Sequence, residues 1–340
     1  MPEPPLAVLG AGSWGTALAI QFARAGRPVL LWGRDREALA ECARAGENLR
    51  YLPGAGFPPT LRVEPEFAAA AAARDVLIAV PSAAFRATLE RLRPLLAVNS
   101  RVAWATKGME LDSGLLPNQV ARAVLGPAVP IAVLSGPTFA SEVARGLPTA
   151  LTVASPDEEF SHDLAVSLSS RRFRAYTSTD ITGVEVGGAV KNVLAIATGL
   201  ADGMGYGANT RTALITRGLA EMTRLGRALG ARAETFMGLA ALGDLVLSCT
   251  DDQSRNRRFG LLVARGRSIE AAAAEIGQVV EGVRAARAVH AVARRLEIDM
   301  PIVAEVYAVL HEGRGLESAV SSLMQRELKA EAAEASRPVP

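Results

Sequence analysis

Leu6-Ala7-Val8-Leu9 runs directly into Gly10-Ala11-Gly12-Ser13-Trp14-Gly15, and a helical pattern follows over 16–25. Apolar strand, glycine turn and helix in that order leave few folds open. Gly10 suits a tight turn, Gly12 lets a backbone approach a pyrophosphate, and Gly15 lets the helix pack close to the strand, with N-terminal N–H groups facing phosphate. A dinucleotide-binding unit is therefore expected at the head of an α/β Rossmann-type, doubly wound sheet. The next apolar stretch, Pro28-Val29-Leu30-Leu31-Trp32, should end beside the adenosine ribose, where an acid suits NAD and an arginine suits NADP. Its tip reads Gly33-Arg34-Asp35. Arg34 points to NADP(H), while Asp35, or a plain solvent-exposed turn, keeps NAD(H) open, so the cofactor reads as NADP(H) or NAD(H).

Asp75-Val76-Leu77-Ile78-Ala79-Val80, Val102-Ala103-Trp104-Ala105 and Ile131-Ala132-Val133-Leu134 are continuously apolar, as parallel strands buried on both faces are. They deliver Pro81-Ser82, Thr106-Lys107-Gly108 and Ser135-Gly136-Pro137-Thr138-Phe139-Ala140 to one edge, the carboxyl edge at which such sheets bind ligands. A cleft there explains why small polar and cationic groups follow strand after strand, although Gly136-Pro137 alone reads equally as a turn. The Gly- and Pro-rich segment 50–59 reads as a loop, 149–154 and 173–176 as the last strands, and 157–168 as the helix between them.

At 340 residues the chain has room for about two domains with cores of their own. Beyond Asp180 the β-branched runs give way to Ala/Leu/Val/Arg segments at helical spacing over 181–201, 209–229, 239–249, 255–265, 281–296 and 301–311. The expected division is 1–179 for the α/β unit, 180–329 for an all-α C-terminal domain, and a frayed tail over 330–340. The formal charge of +2 is spread over interspersed acids and bases with no aromatic–basic alternation, which argues against nucleic acid. Cys42, Cys249 and the three histidines lack metal-ligand spacing, so neither a disulfide framework nor a metal is expected. His162, His290 and His311 stand in no nucleophile elbow or triad setting, which disfavours a hydrolase. No apolar run reads as a membrane span, no basic leader pattern precedes the first strand, and a cytoplasmic location is expected.

Of the 37 cationic side chains only Lys107, Lys191 and Lys329 are lysines. A lysine kept in an arginine-rich chain suggests use of the one property arginine lacks, an exchangeable proton whose pKa falls on burial. Lys191 closes Glu185-Val186-Gly187-Gly188-Ala189-Val190-Lys191-Asn192, where the two glycines leave the preceding turn bare for another backbone or a ligand. A snorkelling lysine on an ordinary helix is the plainer alternative. In Ala241-Leu242-Gly243-Asp244-Leu245 a single acid lies among apolar residues and needs a partner if buried. Lys191 is one candidate partner; a helix cap is the other role open to Asp244. In Asp251-Asp252-Gln253-Ser254-Arg255-Asn256-Arg257-Arg258 a Ser at the N-cap position precedes donors and cations, inverting the usual preference for acids at a helix N-terminus. That end suits a phosphate, or else forms a solvated basic face.

Taken together these motifs closely resemble the bacterial NAD(P)-dependent glycerol-3-phosphate dehydrogenases, from Gly10 to about Arg326. The resemblance implies reversible reduction of dihydroxyacetone phosphate to sn-glycerol 3-phosphate for glycerophospholipid synthesis, with Lys191 as general acid/base and Asp244 beside it. It implies that Ser13, Trp14, Arg34, Lys107, Ala140, Arg255, Val279 and Glu281 line the cofactor together with Gly10, Gly12 and Gly15. It places Lys107, Gly136, Thr138, Lys191, Asp244, Ser254, Arg255 and Asn256 around a small phosphorylated substrate, and a homodimer is compatible with it. The family pattern often has Thr at position 248 and Gly at 251, where this chain has Ser248 and Asp251. Two other readings share the dinucleotide turn: a reductase of other hydroxy acids or acyl-CoA thioesters, and a dinucleotide sensor without catalysis. The anion-binding Ser254-Arg255-Asn256 disfavours the first, and the combination of Lys191, Asp244 and that site disfavours the second.

Overall fold

The computed structural model describes residues 4–327, so the tail expected over 330–340 lies outside the described residues. Among the described residues ten strands occur in chain order: β1 (Leu6–Leu9), β2 (Val29–Trp32), β3 (Glu47–Asn48), β4 (Leu52–Gly56), β5 (Leu61–Val63), β6 (Asp75–Ile78), β7 (Arg101–Trp104), β8 (Ile131–Ser135), β9 (Thr149–Ala154) and β10 (Phe173–Ser178). Eight of them form one sheet in the order β10-β9-β8-β7-β6-β1-β2-β5, and β3 and β4 pair separately as a small antiparallel ribbon. The strand order reverses at β1, whose neighbours are β2 and β6, and the crevice beyond their carboxyl ends is where such sheets take ligands.

Successive side chains of a strand point to opposite faces. Leu6 and Val8 of β1, Leu77 of β6 and Leu134 of β8 join one buried cluster, while Ala7, Leu9, Val76, Ile78, Val102 and Trp104 join another. Both faces are covered by helices, which is why these strands read as unbroken apolar runs.

The sheet is parallel from β5 to β8, as expected, but β9 runs antiparallel to β8, with Ser135 opposite Thr152 and Val133 opposite Ala154. The cause lies in the connection. Residues 136–148, including the short helix Ala140–Arg145, stay on the carboxyl edge instead of crossing back, so β9 enters the sheet from that edge. The segment expected to be a loop over 50–59 also differs, because it contains β4.

After Asp180 every described element is helical. Asp180 caps the helix Ile181–Gly203 by accepting from the Gly183 N–H at 2.9 Å, and its other oxygen accepts from the Arg232 N–H and the Thr235 hydroxyl. This 23-residue helix is buried on all sides from Gly183 to Ala201. Long and apolar enough by composition alone to cross a membrane, it instead forms the axis of a helical core lined by Val193, Ile196, Phe259, Ala286 and Val289. The helix Arg255–Ala264 lies against it at close range, since a Cβ at Gly199 or Gly260 would collide with the facing backbone. The start of this helix and the turn Leu239–Gly243 also reach the sheet: Val184 and Ala240 share a cluster with Trp104 and Val133.

Candidate active site

Lys191 sits on the central helix where it passes the carboxyl edge of the sheet, and it is buried. Its ammonium donates to Asp244 Oδ1 at 2.7 Å and to Ser248 Oγ at 2.9 Å. Lys107, three residues beyond β7, donates to Asp244 Oδ2 at 2.5 Å, and its Nζ lies 3.5 Å from the Gly136 carbonyl. One carboxylate, 2 % exposed, therefore grips two lysines from opposite halves of the chain. An ammonium has three N–H donors. The described residues use two of those on Lys191, which leaves one for a ligand oxygen.

The glycines before Lys191 are what permit this approach. A Cβ on Gly188 would lie 3.4 Å from both Lys107 Cγ and Ser135 Oγ, and one on Gly187 would lie 2.7 Å from the Ala240 carbonyl oxygen. Ala240 belongs to the π-turn Leu239–Gly243 that leads directly into Asp244. Such single π turns are frequent at functional sites. Gly187→Ala is expected to push this turn away, costing about 1–3 kcal/mol of stability and lowering turnover as Asp244 moves. A thermal melt and an assay together check this, and unchanged values in both would contradict the packing described.

Burial pulls the Lys191 ammonium down to about 8; the Asp244 charge opposes this, and the neighbouring Lys107 charge adds to it. Burial alone would raise the Asp244 carboxyl, but Lys107 and Lys191 together hold it below the ordinary carboxylate range. Burial also raises Glu281, with Arg255, Lys107 and Lys191 near enough to counter it. Glu281 thus belongs to the same electrostatic cluster.

Ser254 caps the helix Arg255–Ala264 by accepting from the Arg257 N–H at 3.3 Å, and that helix has no acid in its first turn. Asn256 donates to Asn192 Oδ1 at 2.9 Å and accepts from the Gly282 N–H at 2.9 Å, which fixes the helix end beside Lys191 and Glu281. Arg255 donates to Gln278 Oε1 at 3.1 Å, next to the exposed Val279. Thr138 donates to the Gly136 carbonyl at 3.2 Å. Ala140 opens the short helix Ala140–Arg145, which Ser141 and Glu142 link to Gln253. Arg34 stands exposed at the end of β2, and Asp35 caps the helix Arg36–Ala45 by accepting from the Ala38 N–H.

The geometry thus joins Lys107, Gly136, Thr138, Lys191, Asp244, Ser254, Arg255, Asn256 and Glu281 at one edge, while Arg34 and Val279 lie at exposed margins. Ser248, Asn192 and Gln278 are additional residues that sequence reasoning missed. Ser248 lies one helical turn after Asp244, at the spacing that brings side chains together. That signal is present in the sequence; the other two depend on tertiary packing.

Residues 5–161 match the family profile described as NAD-dependent glycerol-3-phosphate dehydrogenase N-terminus, and residues 180–321 match its C-terminus counterpart. The chain belongs to the NAD-dependent glycerol-3-phosphate dehydrogenase family. A glycerol-3-phosphate dehydrogenase [NAD(P)+] of Idiomarina loihiensis is 54 % identical over 97 % of this chain and 100 % of that protein. The enzyme of the same name from Vibrio cholerae is 52 % identical, over 96 % of this chain and 95 % of its own. The crystal structure of glycerol-3-phosphate dehydrogenase from Coxiella burnetii, 47 % identical, superposes with a TM-score of 0.92 over 95 % of this chain and 99 % of that one. A ketopantoate reductase from Ralstonia eutropha, 18 % identical with a TM-score of 0.59, shares the fold alone.

This dehydrogenase is NAD(P)-dependent, and its dinucleotide turn fits such a cofactor. Gly10 has φ +129° and lies against the Ala79 carbonyl, and a Cβ at Gly15 would strike Gly10, whereas nothing stands within 4 Å of a Cβ at Gly12. The helix Ser13–Arg24 begins without a side-chain cap or an acid in its first turn, leaving donors for a phosphate. The indole N–H of Trp14 is buried without a partner among the described residues, which suits a ligand acceptor in this turn.

Proposed function

We propose that the chain reduces dihydroxyacetone phosphate to sn-glycerol 3-phosphate reversibly, with Lys191 as the proton carrier. The observation that carries this reading is the buried Lys107–Asp244–Lys191 arrangement at the carboxyl edge of the sheet. The bound nicotinamide supplies the hydride. Lys191 Nζ gives its remaining proton to the C2 oxygen as that oxygen becomes an alkoxide, and takes it back in the reverse direction. Asp244 and Ser248 hold the ammonium in place and keep its charge compensated until transfer. Lys107 adds a second positive charge for the developing oxyanion. The capped helix end at Ser254, Arg255 and Asn256 is assigned to the substrate phosphate, because it presents donors, a guanidinium and no acid. Gly136 and Thr138 line the same edge, and Ser13, Trp14, Ala140, Val279 and Glu281 are assigned to the cofactor.

In the same reading the chain divides at 179/180 into cofactor-binding and helical catalytic parts, and works as a cytoplasmic homodimer. Cys42 and Cys249 are both free and buried, which suits a reducing compartment. NADPH oxidation by the wild-type enzyme with dihydroxyacetone phosphate, run beside NADH, tests the assignment. No oxidation with either, in protein that binds NADPH, would sink it. Because Asp35 is committed to its helix cap and lies near Arg50, Arg34 is the group left for an adenosine 2′-phosphate. Arg34→Ser is expected to raise the KM for NADPH about tenfold or more, as loss of a charge-assisted hydrogen bond does, with little change for NADH. Equal changes for both would remove Arg34 from this role.

A further inference from the structure

Glu185 is buried and takes no part in the chemistry above, yet it anchors the central helix to the sheet. Its Oε1 accepts from the Trp104 indole N–H at 2.9 Å and from the Asn118 backbone N–H at 2.9 Å, and its Oε2 accepts from the Asn118 side-chain amide. Trp104 ends β7, three residues before Lys107. Glu185 lies on the central helix, six residues before Lys191. Six helical residues advance about 9 Å at 1.5 Å each. Three extended residues advance about 10 Å at 3.3 Å each. The Ala105 N–H continues the ladder to the Ile78 carbonyl and the Thr106 hydroxyl donates to the Val80 carbonyl, so the chain follows the neighbouring strand's path on its way to Lys107. Two segments of matched length therefore leave one cross-link, Glu185–Trp104, and meet again at a second, Lys191–Asp244–Lys107.

We propose that Glu185 is a positioning residue: its bond to Trp104 sets the spacing of Lys107 and Lys191 about Asp244 and so tunes the proton carrier. This rests on Lys191 carrying the proton. Lys191 faces Asp244, Lys107, Ser248, Cys249 and Glu281. Slack in the Lys107 segment moves a like charge away, frees Asp244 for Lys191 and admits water, and all three raise the Lys191 pKa.

Trp104→Phe and Asn118→Ala form the discriminating pair, because each deletes one hydrogen bond to the same carboxylate but only the first cuts the link to β7. Turnover per folded enzyme is to be followed against pH in both directions. Trp104→Phe is expected to lower kcat on the order of 10- to 100-fold and move the Lys191 limb upward; Asn118→Ala should do neither. Identical limbs in wild type and both variants, or parallel losses in both, would overturn the proposal. Should Trp104→Phe fail to fold, Glu185→Met, which removes the acceptor of the Trp104 indole N–H, read against Asn118→Ala makes the same comparison. Wild type inert toward dihydroxyacetone phosphate would sink the functional reading, whereas active wild type with an unmoved Trp104→Phe limb sinks only the positioning role.

Discussion

Lys191→Arg is expected to lower turnover of dihydroxyacetone phosphate by about 10²–10⁴-fold while leaving NADPH binding close to wild type. The substitution keeps the positive charge and removes the proton, because a guanidinium does not give one up near neutral pH. Lys191→Ala should lose turnover to at least the same degree, so charge alone would not rescue activity. Wild-type enzyme should also show the lysine in its pH profile. The reducing direction needs the ammonium and should fall as pH rises through about 8, where burial places this group. The oxidising direction needs the neutral amine and should rise through the same value. A variant that turns over like wild type, or a wild-type profile flat across that range, would exclude Lys191 as the proton carrier.

Asp244→Asn is expected to be the most destabilising single change at the site. It leaves two ammonium groups near one another with no carboxylate between them, and stripping one partner from a buried charge pair costs about 3–5 kcal/mol. The kinetic effect has a defined direction. Without Asp244, burial and the Lys107 charge lose their main opponent at Lys191, so its pKa falls and the limb of the reducing direction moves to lower pH. That is opposite to the shift expected when the Lys107 segment is loosened. The wild-type carboxyl is held below its ordinary value, so its contribution to stability is present above the unfolded pKa of about 4 and is lost as pH falls through the folded value. Adding Lys107→Met to Asp244→Asn should recover part of the stability, since it removes one of the two like charges. Urea denaturation of the single and double variants gives the comparison. An Asp244→Asn enzyme as stable as wild type would show that the carboxylate does not hold the lysines together.

Much of this arrangement is legible in the amino-acid sequence, and the reasons are local. The glycine turn, the short unbroken apolar runs and the long apolar stretch are told apart by their length and flanking residues, so β1, β6 and the helix Ile181–Gly203 follow from their own residues. Strand direction does not. The apolar stretch of β9 would look the same parallel or antiparallel, and what decides is the path of residues 136–148 along the edge. The helix Ala140–Arg145 is too brief to leave a periodic signal, whereas Pro117–Leu125 buries Pro117, Val120, Ala121 and Val124 at helical spacing, a local signal that sequence reasoning missed. At the site, the pairing of Asp244 with Lys191 follows from the cost of burying a lone acid. That Lys107, 137 residues away, holds the other oxygen does not. Ala140, Val279 and Glu281 are marked by family likeness alone, with nothing in their own local pattern to single them out.

The central helix also carries an implication for how the enzyme is made. Ile181–Gly203 has no polar face to leave in water, and its coverings, Arg255–Ala264 and Glu281–Arg295, are encoded well downstream. At synthesis rates of about 5–20 residues per second, an apolar segment waits several seconds before the partners that bury it have been made. Lys191 rides on that segment, so it gains its native neighbours Asp244, Ser248 and Glu281 only long after the dinucleotide turn has been made.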